Sequence, residues 1–345
     1  MEYIKGLLSV CCTCYNHEKY IKECIESIWN NDYKDIEIIV IDDGSKDRSV
    51  KVLKELRLKS PCRFEIIEQE NTHNIGLNFN RTIDKARGEF ITFMSLDDYY
   101  CKNAFLEKIN YMNENKNNAF CVSKTVNKIV NGKYTEGALS DRFDNITTDK
   151  LCEMEYKNGT FAIQGNIFRR EIIDKVNGFD EDIYGDDIVV RTKVLQYIQR
   201  NKEWNFKFFD NPSFVYRLHN SNYSSNLKSM TNIYLDCYDR YWADKPYPAF
   251  VIDFLLIFFL KSKFDDFYPI FLKHPKALQM IYSNKKLMKQ FKNKLNDKYN
   301  ILSGIRDLFL RKEYLSLNRI RYVVLNLLKL NFKTDIKKVI YEKRI

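Results

Sequence analysis

Short apolar runs alternate with amphipathic stretches through the first hundred residues. Residues 7–14 are largely apolar, read as a buried strand, and end in the polar turn Tyr15-Asn16-His17. Over 20–29 the apolar positions Ile21, Cys24, Ile25 and Ile28 fall on one helical face. Residues 36–41 form a β-branched run halted by Asp42-Asp43-Gly44-Ser45, which predicts a second strand. A helix over 49–58, a strand over 64–68, a helix over 77–86 stopped by Gly88, and a strand over 90–94 continue the alternation.

This order predicts an α/β fold, a mainly parallel sheet with helices on both faces. Ligands of such sheets bind beyond the carboxyl ends of the strands. Three polar clusters fall there: Thr13 with Tyr15 and Asn16, Asp42-Asp43, and Asp97-Asp98. Further on, the pattern predicts a helix over 104–113, mixed structure to about 161, a strand over 165–170, a helix over 187–199 and strands within 206–216. From about residue 230 it turns helical and basic, so we expect two regions, 1–228 and 229–345. The most apolar stretch, 250–260, contains Asp253 and is shorter than the ~20 residues that cross a bilayer. A core or interfacial helix fits it better.

Composition adds two points. Of the net charge of +10, residues 228–345 hold 24 Lys/Arg against 11 Asp/Glu, leaving residues 1–227 slightly acidic. A basic C-terminal third suits a solvated helical face or an anionic membrane surface. Its aromatics sit among aliphatics, as in Phe254-Leu255-Leu256-Ile257-Phe258, which argues for packing and against nucleic acid. Nine cysteines occur without a secretory pattern after Met1, so free thiols in a reducing cytoplasm are expected. Cys11, Cys12 and Cys14 lack paired C-x-x-C spacing and read as small strand hydrophobes.

The acidic turn carries the chemistry. Two carboxylates at a strand end lose hydration unless a cation joins them, and hard divalent ions bridge carboxylates to phosphates. Alternatively, Asp98 caps a following helix. Two neighbouring segments bear on the choice: Ile36-Glu37-Ile38-Ile39-Val40-Ile41-Asp42-Asp43-Gly44-Ser45, and Ala86-Arg87-Gly88-Glu89-Phe90-Ile91-Thr92-Phe93 ahead of the acidic pair. With Ser9 through Asn16, their order and spacing resemble the family 2 glycosyltransferases of the GT-A fold, over roughly residues 5–225.

The resemblance implies a Rossmann-like mixed, mainly parallel sheet with a mostly helical C-terminal extension, and a nucleotide-sugar donor, UDP-linked. Thr13 and Tyr15 would line the nucleobase pocket, with Asp42 accepting from the base and Asp43 next to it among the cofactor-binding residues. Asn74, Gly76 and Arg81 would border it. Asp97 matches the last Asp of the family's DxD motif, which ligates Mg²⁺ or Mn²⁺. Ser95 stands where many relatives carry the first Asp, and would serve as a polar substitute. In Tyr216-Arg217-Leu218-His219, the histidine would complete the metal shell, while Arg217 alternatively pairs with the diphosphate.

Gly178-Phe179-Asp180-Glu181 followed by Gly185-Asp186-Asp187 resembles the elements that supply the family's base. An acceptor hydroxyl must lose its proton as it attacks the anomeric carbon, so a carboxylate is needed there. Asp187 is the expected base and Asp186 the runner-up; both also read as caps of the next helix. The family implies inversion at the sugar and a glycan or lipid-linked acceptor of bacterial envelope polysaccharide or lipooligosaccharide synthesis. Two rivals remain. A sugar-nucleotide pyrophosphorylase would need a Gly-rich loop where Tyr15-Asn16-His17-Glu18 stands. A non-catalytic nucleotide-sugar-binding scaffold draws on Ser95 and on Asp186 in place of Glu.

Overall fold

A computed structural model describes residues 3–185, 187–219, 226–262, 264–285 and 287–290. The chain alternates as expected: β1 (Ile4–Cys14), α1 (Ile21–Trp29), β2 (Ile36–Asp42), α2 (Ser49–Arg57), β3 (Arg63–Glu68), α3 (Ile75–Lys85) and β4 (Gly88–Ser95). Then come β5 (Tyr99–Tyr100), α4 (Leu106–Glu114), β6 (Asn118–Ser123), β7 (Asn127–Val130), β8 (Lys133–Thr135), α5 (Thr148–Asn158), β9 (Ile167–Arg169) and α6 (Arg170–Lys175). The remainder is α7 (Asp187–Arg200), β10 (Asn205–Phe209), β11 (Phe214–Leu218), α8 (Leu227–Tyr241), α9 (Ala249–Lys261), α10 (Phe264–Lys273) and α11 (Pro275–Ser283).

Seven strands form one sheet in the order β10-β6-β9-β4-β1-β2-β3. All neighbours run parallel except β9, which is antiparallel to β4 and β6. The chain leaves β1 toward β2 and β3, then returns to β4 on its other side. That reversal opens a crevice at the strand ends between β1 and β4. A second sheet, β5-β11-β7-β8, was not foreseen as a unit.

Strand periodicity sorts the core. Val10, Cys12 and Cys14 face one way and pack with Ile21, Cys24, Ile25 and Ile28 of α1. Cys11, Ile39, Ile91 and Phe93 face the other way and meet Phe79, Ile83 and Phe168. Each such side chain removed from water stabilises the fold by about 1.5–3 kcal/mol. All nine thiols are free, and Cys11, Cys12 and Cys14 are strand hydrophobes as expected.

Some boundaries differ from the pattern. The third helix starts at Ile75, two residues early, because Asn74 caps it by accepting from Leu77 N–H at 3.0 Å. Asp98 caps no helix; it precedes β5. The compact units divide between Phe254 and Leu255, so α8 belongs to the first. Gln196 Nε2 donates to the Tyr241 carbonyl at 2.9 Å, tying α7 to α8. In the second unit, Phe259 packs on Phe267 and Phe271. Most of the basic C-terminal stretch lies outside the described residues. Among those described, no helix is long and apolar enough to cross a membrane.

At the edge of the sheet remote from the crevice, Glu37 is fully buried. It accepts from Ser9 Oγ (2.7 Å), Arg63 Nη1 (2.6 Å), Arg87 Nε (2.9 Å) and Arg87 N–H (2.6 Å). Burial opposes ionisation, but the Arg87 N–H, Ser9, Arg63 and the Arg87 side chain outweigh it and lower its pKa. A lowered carboxyl pKa stabilises the fold above its unfolded value of about 4.3, and the effect fades as pH falls through the folded pKa. Glu37→Gln should therefore cost about 2–3 kcal/mol in urea unfolding at pH 7. The gap to wild type should narrow below pH 4.

Candidate active site

Parallel registry sets the crevice. Cys14 pairs with Asp42 and Thr13 with Ser95, so three strand ends meet in one row. Asp42 is fixed by the turn that follows it: Ser45 donates through N–H to Oδ1 (2.9 Å) and through Oγ to Oδ2 (2.6 Å). Gly44 makes that turn at φ 75°, where a Cβ would fall 2.6 Å from Asn71 N. Asn16, at φ 58°, accepts from Lys46 N–H and joins the first turn to the second. Tyr15 is left 43 % exposed at the crevice mouth. Asp43 accepts from Gln69 Nε2 (2.6 Å) and Thr72 N–H (2.8 Å), and Arg81 reaches the same cluster by donating to Gln69.

The acidic turn is held by a segment more than a hundred residues away. β5 pairs antiparallel with β11, which carries Arg217 over the turn. Arg217 N–H donates to Asp98 Oδ1 at 2.7 Å and its Nε to the Asp97 carbonyl at 2.9 Å. Its guanidinium also bonds Glu23 and lies over the rings of Tyr20 and Tyr99. Arg217 thus holds the turn in place. Two residues on, His219 places Nε2 3.0 Å from Asp97 Oδ2, and its ring stacks on Tyr20.

Asp97 is 8 % exposed, and its Oδ1 is buried with no hydrogen-bond partner. Burial raises its pKa, yet His17, the Ser95 hydroxyl and His219 together push it below the ordinary range. An ionised, half-satisfied carboxylate beside an imidazole fits a divalent cation. Among the described residues no cluster of three or more His, Cys, Asp or Glu makes a metal site, so Asp97 and His219 would need ligand oxygens to complete a shell. Asp98 behaves oppositely. Burial first, then the Asp97 charge, raise its carboxyl to about 8.

Asp187 opens α7, and its Oδ1 accepts from Ile163 N–H at 2.8 Å. Asp186 lies outside the described residues. The loop before them is anchored to α3: Asn74 Nδ2 donates to the Glu181 carbonyl (2.6 Å), and Asn80 Nδ2 to the Phe179 carbonyl (2.9 Å). A Cβ on Gly76 would come 3.2 Å from the Asp180 carbonyl. Asn74 and Gly76 therefore meet the loop before Asp187, while Asn74 N–H also donates to Thr72 Oγ1, which bonds Asp43. A cavity of about 460 Å³ is lined by Ser95, Asp97, Asp98, Gln164 and Asp187, and closed by Tyr234 of α8.

The chain resembles known proteins in sequence and in fold. The model of glycosyl transferase family 2 fits residues 9–176. Those residues belong to the family 2 glycosyltransferases. The matched segment holds the ends of β1, β2 and β4 with Asp97, while Asp187 and His219 come after it. The chain is 26 % identical over 285 residues to the minor teichoic acid biosynthesis protein GgaA of Bacillus subtilis, covering 76 % of this chain and 61 % of that protein. It spans about three fifths or less of the length of the curated relatives it matches. Among solved structures, residues 1–349 of S. aureus TarS in complex with UDP-GlcNAc align with TM-score 0.58 at 19 % identity, over 82 % of this chain and 83 % of that one. The mannosyltransferase PcManGT of Pyrobaculum calidifontis, in complex with GDP-Man and Mn²⁺, aligns with TM-score 0.52 at 14 % identity, over 88 % of each chain. At such identities the likeness is one of fold, and that fold is GT-A.

Two residues beside the acidic turn escaped the sequence reading. His17 is half-buried, with Nε2 3.9 Å from Asp97 Oδ2; its signal was its place in the turn that ends β1. Gln164 accepts from Ser95 N–H at 3.0 Å, and no motif announces it. Asp98 gives a testable sign. Its carboxyl titrates near 8 when folded and near about 4 when unfolded, so its contribution is full at pH 4 and lost as pH rises toward 8. In EDTA, Asp98→Asn should match wild type in urea unfolding at pH 4 and exceed it at pH 9.

Proposed function

We propose that this chain is an inverting glycosyltransferase that moves a sugar from a nucleotide-sugar donor, UDP-linked, to a hydroxyl of a glycan or lipid-linked acceptor in envelope-polysaccharide synthesis. The observation that carries the reading is one cavity lined by both Asp97, whose Oδ1 lacks a partner, and Asp187. GgaA's part in teichoic acid biosynthesis and the UDP-GlcNAc held by TarS support the donor and the setting.

The chain's own groups divide the work. Tyr15 stacks on the base and Asp42, rigid through Ser45, receives its hydrogen bonds. Asp97 and His219 would hold Mg²⁺ or Mn²⁺, which supplies positive charge for the departing nucleoside diphosphate. Ser95 offers a hydroxyl beside them. Asp187 takes the acceptor proton through a carboxylate oriented by Ile163 N–H. Tyr234 and Ile233 of α8 narrow access of water to the sugar. The basic C-terminal segment brings the enzyme to an anionic membrane surface, each exposed Lys or Arg near the leaflet adding about 1 kcal/mol.

A sugar-nucleotide panel scored by nucleotide release with Mn²⁺ tests the reading. Asp97→Ala should lower turnover ~100-fold or more. Asp187→Asn should lower kcat by about 10²–10⁴ with donor affinity kept. Wild-type rates in either variant would sink its assignment, and nucleotide binding without turnover of any donor would favour a scaffold. Full-length protein should sediment with phosphatidylglycerol vesicles at low salt and stay free of phosphatidylcholine ones; equal partition would remove the membrane assignment.

A further inference from the structure

A second cavity, of about 450 Å³, adjoins the first and shares Val126, Lys128 and Ala162 with it. Ala162 precedes Ile163, whose N–H orients Asp187, so this space opens beside the base. One wall is the β7–β8 hairpin, turned at Asn131-Gly132 with φ of 52° and 76°, a tight connection that fixes the position of Lys128.

The lining is cationic. It holds Lys124, Lys128 and Arg142 against one carboxylate, Glu136. Asp144 and Asp210 already match Lys124. Arg142 donates to the Thr160 carbonyl at 3.0 Å and lies over the Phe143 ring. Among the described residues neither Lys128 nor Arg142 has a carboxylate partner. Thr125 adds a hydroxyl that is 7 % exposed and bonded to nothing. An ammonium, a guanidinium fork and an unsatisfied hydroxyl around one space suit phosphoryl oxygens.

We propose that this cavity seats the acceptor and that Lys128 and Arg142 recognise phosphate on it, as a phosphodiester or a diphosphate close to the hydroxyl being glycosylated. The inference rests on the transferase reading of the adjoining site. It makes the acceptor itself an anion, selected by charge at the base's doorway.

Three acceptors test it with a competent donor: a polyol-phosphate oligomer, a lipid-linked disaccharide diphosphate and a neutral oligosaccharide. Wild type should prefer a phosphate-bearing acceptor; preference for the oligomer identifies a phosphodiester, and for the lipid-linked one a diphosphate. The Lys128→Gln/Arg142→Gln variant should raise KM for the preferred acceptor 10-fold or more and leave the neutral one unchanged, which also reports that the protein is folded. Equal use of neutral and anionic acceptors by wild type, or unchanged KM in the variant, overturns the proposal. Calorimetric titration of the polyol-phosphate oligomer and of a soluble disaccharide diphosphate needs no turnover and separates the two readings. Binding by wild type that the variant loses sustains the cavity assignment even where no donor is consumed. Absence of binding for both ligands in wild type overturns it.

Discussion

Two adjacent carboxyl groups at the end of a buried strand repel each other and have given up most of their water. Arg217 makes that arrangement tenable. It caps Asp98 through its N–H, clasps the Asp97 carbonyl with its side chain, and is itself held by Glu23 and two tyrosine rings. Because β11 delivers Arg217, it also delivers His219 to Asp97. The second, small sheet therefore exists in service of the turn: without β5 pairing with β11, the imidazole would have no fixed address.

The paired acids end up in different states through a difference in partners, not in burial. Asp97 has two imidazoles and a hydroxyl nearby and stays ionised; Asp98 has one backbone donor and a charged neighbour and holds its proton. Each keeps one buried oxygen without a partner, Oδ1 on Asp97 and Oδ2 on Asp98, but only Asp97 carries a charge there. Ser95, in place of a carboxylate, spares the turn a second negative charge beside Asp97.

Much of this was legible in the chain. Strands β1, β2 and β4 are apolar runs that stop at polar turns, and their alternation with helices made a parallel sheet the expectation. That placed Thr13, Asp42, Ser95 and Asp97 on one edge before any coordinates. What could not be read were contacts between distant segments whose local pattern is weak. Residues 127–135 show no clear alternation, so the hairpin beside the second cavity was invisible. His17 sits in a turn that was legible as polar and at a strand end, but nothing in its spacing ties it to Asp97. Asn74 and Gly76 were legible as important but not as to why: they face the loop before Asp187.

That loop is fastened twice over. Asn74, Asn80 and Gly76 hold it from α3, while Asp180 accepts from Lys193 of α7 at 2.7 Å and from Arg240 of α8 at 2.6 Å. None of these anchors touches Tyr15, Asp42 or the hairpin over the second cavity. Substitutions at the Tyr15–Asp42 turns or in the hairpin would therefore leave the fastening of the Asp187 loop intact. The scaffold can vary at either place by small, independent steps while that one loop keeps its position.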